Sequence, residues 1–301
     1  MAESDTNENI LAEGYRRACR LLSACSRPEG FIASPIDTDN YRRIWARDGV
    51  IIGLAALLTD EDELIETFRQ TIETLAQHQG PHGEIPSNVD TRSKRISYGG
   101  MTGRVDADLW FMIGCGEYWQ ATGDDDFLEA IIPAIEKVHF LLGTWEFNNR
   151  GLLYVPATGD WADEYIHNGY VLYDQLLYLQ ALRVQHAIHT HVHGSTDHEI
   201  KRRISQLKHL VWDNYWFDED SRVPDDVYHE ILYKKGQKAA ACCKNQHWLP
   251  FFSPYGYGYR FDGFANVMAS LLDVSDDRRR DKIDAYITQL AENFRICLLP
   301  A

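Results

Sequence analysis

The sequence predicts an all-α protein that is built as a series of helical hairpins. Apolar residues recur every three or four positions in five separate segments, which is the pattern of helices with one buried face. Three further segments are apolar nearly all round, and helices of that kind are buried on most sides. No run of residues alternates between apolar and polar side chains as a half-buried strand does. We therefore expect inner, buried helices that alternate with outer, amphipathic ones.

The helices follow in chain order from these two patterns. The amphipathic segments carry their apolar stripes at Leu11, Tyr15, Ala18 and Leu22; at Ile65, Phe68, Ile72 and Leu75; at Phe127, Ile131, Ile135, Val138 and Leu142; at Ile200, Ile204, Leu207 and Val211; and at Ile283, Ile287, Leu290 and Phe294. The buried segments are residues 49–58, 105–120 and 170–188. A further helix starts near Phe261, which brings the total to about nine helices.

The helix starts and the loops carry local signals of their own. Four residues with a side-chain oxygen stand where a helix begins, and such an oxygen can accept a hydrogen bond from an unpaired backbone amide. These residues are Thr59, Asp124, Thr196 and Ser275. Short extended pieces are expected in the loops at 95–98 and 152–155. No Pro-, Gly- or Ser-rich linker divides the chain, so residues 1–301 are expected to form a single domain.

Composition and charge narrow the function. The chain has 45 acidic and 30 basic residues, a net charge of -15, which disfavours nucleic acid and anionic membranes as partners and suits a neutral substrate. No apolar run reaches the roughly 20 residues of a membrane helix, and the N-terminus lacks the pattern of a secretory signal. Six cysteines, of which Cys242 and Cys243 are adjacent and the others scattered, are expected to be reduced thiols, and these features together predict a cytoplasmic protein. We expect no metal and no cofactor, and the sequence does not predict an oligomeric state.

Tryptophan and aspartate, often with arginine, recur just before or at the start of the buried helices. The four groups are Trp45, Arg47 and Asp48; Arg104, Asp106, Asp108 and Trp110; Asp160, Trp161, Asp163 and Glu164; and the aromatic-rich stretch from Trp248 to Arg260. Aromatic faces stack on sugar rings, while carboxylates and guanidinium groups form hydrogen bonds with hydroxyls. Each residue also has a structural reading as a helix cap, an ion pair at a helix start or a core side chain. Their recurrence at equivalent positions favours a sugar-binding site.

The motifs that carry these residues resemble those of a known class of glycosidases. They are Tyr41-Arg42-Arg43-Ile44-Trp45-Ala46-Arg47-Asp48, Val105-Asp106-Ala107-Asp108-Leu109-Trp110-Phe111, Gly159-Asp160-Trp161-Ala162-Asp163 and Arg260-Phe261-Asp262-Gly263-Phe264-Ala265-Asn266. In this order they are similar to the six-hairpin (α/α)6-barrel glycoside hydrolases. The strongest resemblance is to the amylo-1,6-glucosidase domain of glycogen debranching enzymes, followed by the neutral/alkaline invertases and the processing α-glucosidases. The resemblance implies an (α/α)6 toroid, which about nine helices would leave incomplete at its C-terminal end.

The resemblance also implies a reaction and a role for each site residue. An inverting hydrolase of an α-linked glucoside uses one carboxylic acid to protonate the glycosidic oxygen and a second carboxylate to activate water. By motif position Asp163 is the acid, supported by Asp160 and kept partly desolvated by Trp161. The first sugar would be held by the remaining site residues, which are Trp45, Arg47, Asp48, Arg104, Asp106, Trp110 and Gln175.

One departure from the family pattern leaves other functions open. The family's general base is a Glu in a later His-Asn-Gly-Gly-x-Trp-Pro type segment, which residues 1–301 do not contain. Glu164 and Glu230 are the carboxylates within the chain that could replace it. A non-catalytic carbohydrate-binding or regulatory protein on a degenerate barrel is therefore an alternative, as is another toroid enzyme such as a sugar epimerase or a lyase.

Overall fold

The computed structural model describes residues 2–162, 165, 167–217, 222–242 and 246–294. The chain comprises two compact units, Met1–Leu141 and Leu142–Ala301, which we call the first and the second unit. Helices dominate the described part of both units, as the sequence predicts, and strands of two or three residues occur in the loops. The expectation of a single domain over residues 1–301 stays a prediction.

The first unit contains five helices and three short strands in its described residues. In chain order they are α1 (Ala2–Cys25), β1 (Ile44–Trp45), α2 (Ala46–Ala56), α3 (Asp62–Gln77), β2 (Asn88–Asp90), β3 (Arg95–Ser97), α4 (Val105–Thr122) and α5 (Asp125–Thr144), whose residues 142–144 belong to the second unit. Helix α2 packs against both α3 and α4. Helix α4 is buried along most of its length, which confirms the predicted inner helix.

Close packing in the first unit depends on a glycine of α2. Gly53 lies against the ring of Phe68 from α3, and a methyl group built on Gly53 would stand 1.9 Å from Phe68 Cδ2. Phe68, Ile72 and Leu75 are fully buried, so the apolar stripe of α3 faces the core as predicted. The two helices therefore approach so closely because one of them lacks a side chain at the contact.

Helix α1 differs from the prediction for its apolar stripe. The helix forms, but Leu11 is 74% exposed and Tyr15 is 57% exposed. Glu13 binds three arginines of the same helix, Arg16, Arg17 and Arg20, along its surface. Such pairs stabilise a helix modestly without burial of an apolar face, because residues three and four apart are neighbours on its surface.

A small antiparallel sheet leads into the second helix of the first unit. Its strand order is β1-β2-β3, with Ile44 opposite Val89 and Trp45 opposite Asn88. Strand β3 confirms the extended piece predicted at 95–98, whereas β1 and β2 were not predicted. Strands of two or three residues are too short to show an alternating pattern. The sheet fixes the backbone at the point where α2 begins.

The second unit contains five helices and three short strands in its described residues. They are β4 (Tyr170–Val171), α6 (Leu172–His193), α7 (His198–Tyr215), α8 (Glu230–Cys242), β5 (Phe251–Ser253), β6 (Gly256–Tyr257), α9 (Gly263–Leu271) and α10 (Asp277–Phe294). Helix α6 packs against α7 and α9, and most of its residues from Leu172 to Leu182 are fully buried. The three strands pair in the order β4-β5-β6. The extended piece predicted at 152–155 forms only a single bridge, between Val155 and Gly169.

Helix α8 was not predicted, because its apolar residues do not repeat at a helical spacing. Its buried apolar side chains include Tyr233 and Ala240, which belong to a small core cluster with Phe217 and Leu249. Gly236 faces the ring of Tyr257, and a methyl group there would lie 2.7 Å from the ring carbon Cδ2. Tertiary contacts with aromatic rings therefore stabilise a helix whose sequence alone predicts it poorly.

An arginine lies among three indole rings in the second unit. The Arg279 guanidinium carbon is 4.3, 5.3 and 5.4 Å from the ring centroids of Trp212, Trp216 and Trp248, which is the range of cation–π contacts. Arg279 is 5% exposed and also forms an ion pair with Asp276 at 2.7 Å. We call Arg279 and the three tryptophans the indole cluster.

The helix starts agree with the prediction at one position and differ at three. Asp124 accepts a hydrogen bond from Phe127 N, as expected of a residue that begins α5. Helix α7 is capped by Asp197 in place of Thr196, and the Asp276 carboxylate, not the Ser275 hydroxyl, binds the first turn of α10. Thr59 bonds to Ala56 O and belongs to the end of α2. At Thr196 and Ser275 the carboxylate of the next residue, and not the predicted hydroxyl, binds backbone amides of the first helical turn. At Thr59 the hydroxyl is instead bonded to the end of the preceding helix.

Candidate active site

Three of the predicted residues of the first unit form one ionic cluster. Arg47, in the first turn of α2, donates from Nη2 to Asp48 Oδ2 at 3.1 Å and from Nη1 to Asp106 Oδ2 at 3.3 Å. Asp106 lies in the first turn of α4. The Arg47 and Asp48 side chains remain 28% and 31% exposed, and that of Asp106 is 3% exposed. The cluster thus presents a guanidinium group and a carboxylate at a partly open surface and anchors them on a buried carboxylate.

The electrostatics of this cluster centre on Asp106. Burial raises the pKa of the Asp106 carboxyl, and the positive charges of Arg47 and Arg104 oppose that rise. Arg104 immediately precedes α4, and its backbone amide donates to Tyr98 O at 3.1 Å. Since Arg47 bridges two carboxylates, its orientation is fixed before any ligand arrives, which is the arrangement that binds hydroxyl groups well.

The two predicted tryptophans of the first unit differ in their surroundings. Trp45 is half-buried at the end of β1, and its Nε1 donates to Asn40 O at 3.2 Å. The Tyr41 ring lies 6.4 Å from the Trp45 ring. Trp110 lies on α4 and is only 6% exposed. Trp45 therefore retains surface for a sugar to contact, whereas Trp110 is almost entirely part of the core.

In the second unit the motif that begins at Gly159 is described as far as Ala162. Asp160 is 1% exposed; its Oδ1 accepts from Ala162 N at 2.9 Å, and its Oδ2 is 4.0 Å from His167 Nδ1. The Trp161 ring contacts Tyr173 of α6 and Phe264 of α9 edge-on. Asp163 and Glu164, the predicted acid and one candidate base, lie outside the described residues. Asp160 thus shapes the turn that includes Ala162, and its supporting role in catalysis stays a prediction.

A cavity of about 70 Å³ opens beside Trp161. We call it the Asp262 cavity, and its walls include Trp161, His167, Pro250, Arg260, Phe261 and Asp262. Sequence reasoning placed neither His167 nor Asp262 in the site. Asp262 does belong to the motif that resembles a later helix of the glycosidases, but an Asp before a helix is also an ordinary cap, so the motif gave no reason to single it out.

Two predicted residues occupy positions that do not suit their expected roles. Gln175 is fully buried, and its amide group is bonded to the backbone of Leu153 and Val171, which gives it a structural role. Glu230, considered as a replacement base, is the first residue of α8; its side chain is 63% exposed and paired with Lys234. That ion pair lowers the pKa of Glu230, and neither exposure nor a lowered pKa suits a general base.

Solved structures similar to this chain define its fold class. A rhamnosidase from Klebsiella oxytoca with rhamnose bound matches with a TM-score of 0.64 at 17% identity, over 90% of this chain and 46% of that one. The GH63 mannosylglycerate hydrolase from Thermus thermophilus, in complex with glucose, matches with a TM-score of 0.62 at 13% identity, over 95% of this chain and 78% of that one. These likenesses confirm the all-α, (α/α)6 class of fold that the motifs imply.

The family follows from the sequence itself. The profile of the alkaline and neutral invertases matches residues 19–230, so the chain belongs to that family of glycoside hydrolases. The probable alkaline/neutral invertase A, chloroplastic, of Arabidopsis thaliana is 27% identical over 232 residues, which are 66% of this chain and 36% of that protein. The aligned chain thus spans little more than a third of that relative. Within the described residues, no helix is both long and apolar enough to cross a membrane. The cytoplasmic location stays a prediction.

Proposed function

We propose that this chain contributes the acid-bearing part of a glycoside hydrolase site that cleaves an α-linked glucoside with inversion. The observation that carries the proposal is the invertase family match, because residues 19–230 include the Arg47 cluster and the segment from Asp160 to Asp163. Glycoside hydrolysis needs a carboxyl group that stays protonated near neutral pH, and a nearby aromatic ring with limited solvent favours that state. Asp160 and Ala162, which precede Asp163 in the motif, are 1% and 3% exposed.

In this proposal each residue has a distinct part in the reaction. Asp163 donates its proton to the glycosidic oxygen, and Asp160 and Trp161 hold the backbone that precedes it. Arg47 and Asp48 form hydrogen bonds with hydroxyls of the first sugar, with Asp106 as their buried anchor. Trp45 and Arg104 complete that surface, Trp110 supports it from the core, and Gln175 takes no direct part.

The second carboxylate of an inverting site stands about 6.5–9.5 Å from the acid, with a water between them. Glu230 does not fit this task, since its side chain is exposed and bound to Lys234. The Glu expected in a later segment is not among residues 1–301. Assays should therefore compare residues 1–301 with the product of the complete gene, whatever its length.

The substrate is proposed from the family and tested by a panel. Sucrose is the first candidate because the family is that of the invertases, and maltose, isomaltose and trehalose test the other α-linked glucosides. Isomaltose also tests the amylo-1,6-glucosidase-like specificity that the motifs imply. Hydrolysis of one of these sugars, with β-glucose as the first product seen by proton NMR, is the expected result.

The other outcomes of the same panel are equally informative. With maltose or isomaltose, a transient excess of α-glucose over the equilibrium mixture of anomers would show retention and overturn the proposed inversion. Binding of a sugar by calorimetry without hydrolysis by the complete gene product would favour the non-catalytic carbohydrate-binding protein. Absence of both would remove the sugar site altogether.

A further inference from the structure

The carboxylate of Asp262 satisfies only half of its hydrogen-bonding capacity within the protein. It precedes α9, and its Oδ1 accepts from Ala265 N at 2.9 Å, which is the bond of a helix cap. The side chain is 6% exposed, and Oδ2 is buried without a hydrogen-bond partner in the described structure. An unsatisfied buried acceptor costs about 1–3 kcal/mol, and more when it is charged. A helix cap needs one oxygen, so the second oxygen needs another explanation.

Two further polar atoms around the Asp262 cavity are also buried without a hydrogen-bond partner in the described structure. Trp161 Nε1 and His167 Nδ1 are buried, and neither has a hydrogen-bond partner in the described part of the chain. Both residues line the cavity with Asp262. Because one water needs roughly 10–15 Å³ of such space, a cavity of about 70 Å³ holds about five waters or one small polar molecule. One cavity thus brings together an indole donor, a carboxylate acceptor and an imidazole.

The charges around the cavity favour hydroxyl groups as the ligand. Burial lowers the pKa of the His167 imidazole; nearby Asp262 opposes that shift and Arg260 adds to it. The ring is therefore neutral near pH 7 and can donate from one nitrogen and accept at the other. An anionic ligand would be repelled by Asp262 once that carboxyl is ionised. A hydroxyl can donate to Asp262 and accept from Trp161 at once, which no purely anionic or cationic ligand can do.

We propose that Asp262 and His167 form a hydroxyl-binding pair that recognises one edge of a sugar ring, whose hydroxyls project into the Asp262 cavity. Asp262 Oδ2 accepts from one hydroxyl, His167 binds a second, and Trp161 supplies a donor and an apolar edge. Phe261 and Pro250 form apolar walls of the same cavity. The identification of the ligand as a sugar rests on the proposed function, whereas the recognition of paired hydroxyls rests on the cavity itself. Asp262 is then a specificity-determining residue.

Two substitutions separate the cap of α9 from the binding site. Asp262→Asn and Asp262→Ser both keep an oxygen for Ala265 N, but the first replaces the free oxygen with a donor and the second removes it. Asp197→Asn is the matched control, since Asp197 caps α7 in the same way through Glu199 N and Ile200 N. With glucose as the probe in calorimetry, we expect Kd to rise tenfold or more in both Asp262 variants. Asp197→Asn should bind glucose like the wild type.

The outcomes distinguish this proposal from the proposed function. A wild-type protein that binds glucose, together with an Asp262→Ser variant that binds it equally well, would overturn the pair even if the sugar panel is hydrolysed. Absence of glucose binding by the wild type would also overturn it. Glucose binding that the Asp262 variants lose, without hydrolysis of any sugar in the panel by the complete gene product, would support the pair and reject the hydrolase. If the Asp262 variants fail to fold, His167→Phe tests the pair, because it keeps a ring against Phe251 and removes both nitrogens. Weaker glucose binding by this variant would support the pair, and unchanged binding would overturn it.

Discussion

The side-chain amide of Gln175 pairs with the backbone of Leu153 in both directions. Gln175 Nε2 donates to Leu153 O at 2.9 Å, and Leu153 N donates to Gln175 Oε1 at 2.9 Å. Both residues are fully buried. Through this one side chain, helix α6 fixes the loop that leads to Asp160. The two hydrogen bonds replace those that a neighbouring strand would form with the backbone of Leu153.

Replacement of Gln175 tests this role. Gln175→Leu leaves the amide and the carbonyl of Leu153 buried without partners, so we expect the free energy of unfolding in urea to fall by about 2–4 kcal/mol. Gln70→Leu is the control, because Gln70 is hydrogen-bonded to Glu66 on the surface of α3, and it should change stability by less than about 0.5 kcal/mol. Equal, small effects of the two changes would mean that the Gln175 pairing contributes little.

The Arg47 cluster predicts a pH dependence with a definite sign. Burial raises the folded-state pKa of Asp106, so the folded state is favoured by protonation of this group, and that contribution is lost as pH rises through the raised pKa. Arg47→Gln removes a charge that opposes the rise, so the pKa climbs further and the loss extends to higher pH. We expect a deficit of about 1–3 kcal/mol at pH 8 and a much smaller one at pH 4.

Urea unfolding of the wild type and of Arg47→Gln at the two pH values measures this difference. Arg202→Gln is the matched control, because Arg202 pairs with Glu199 on the exposed surface of α7. It should show little loss of stability at either pH. A deficit of Arg47→Gln that is the same at pH 4 and pH 8 would show that Asp106 is not the group involved.

The acid assignment predicts a loss of rate without a loss of binding. Asp163→Asn keeps the size of the side chain and removes its proton, so kcat of the complete gene product on its best sugar should fall by about 10²–10⁴-fold, while Kd for glucose changes little. Asp225→Asn, at an exposed position paired with Arg222, should retain full activity. A near-normal kcat for Asp163→Asn would move the acid to another carboxyl group.

Replacement by alanine should lower the stability of the protein at one helical glycine, Gly53, and raise it at another, Gly14. Gly53→Ala would place a methyl group 1.9 Å from Phe68 Cδ2, so we expect a loss of at least about 1–3 kcal/mol from overpacking. Gly14→Ala in α1 meets nothing within 4 Å and should raise stability by about 0.5–1 kcal/mol through helix propensity. Thermal unfolding of both variants measures the contrast, and a neutral Gly53→Ala would show that α2 and α3 can separate at no cost.

The sequence predicted the helices that bury a stripe or a whole surface, because burial imposes a period on the apolar residues. It did not predict α8, whose stability comes from contacts of Tyr233 with the aromatic ring of Phe217. The short strands were also missed, apart from β3, since two or three residues cannot display a period. The spacing of apolar residues therefore predicts a helix that buries a regular stripe or its whole surface, but it misses a helix that does neither.

The sequence predicted those features of the site that short motifs carry, and it did not predict contacts between residues distant in sequence. The pairing of Arg47 with both Asp48 and Asp106 joins two of the predicted groups, because both lie at the starts of buried helices. Gln175 was expected to bind sugar, yet its hydrogen bonds join it to Leu153, which no local pattern reveals. Asp262 was passed over because a helix cap already explains an aspartate at that position. The unsatisfied oxygen that distinguishes it appears only when the neighbouring side chains are in place.

The indole cluster has a spectroscopic consequence. Three of the eight tryptophans lie within 5.4 Å of the same guanidinium charge, and indole emission responds to the field of a nearby charge. The part of the intrinsic fluorescence that comes from these three tryptophans should therefore report on the packing of α10 against the end of α7. Circular dichroism records helices throughout the chain. A comparison of the fluorescence and circular dichroism signals during unfolding therefore shows, without a label, whether the indole cluster unfolds before the helices as a whole.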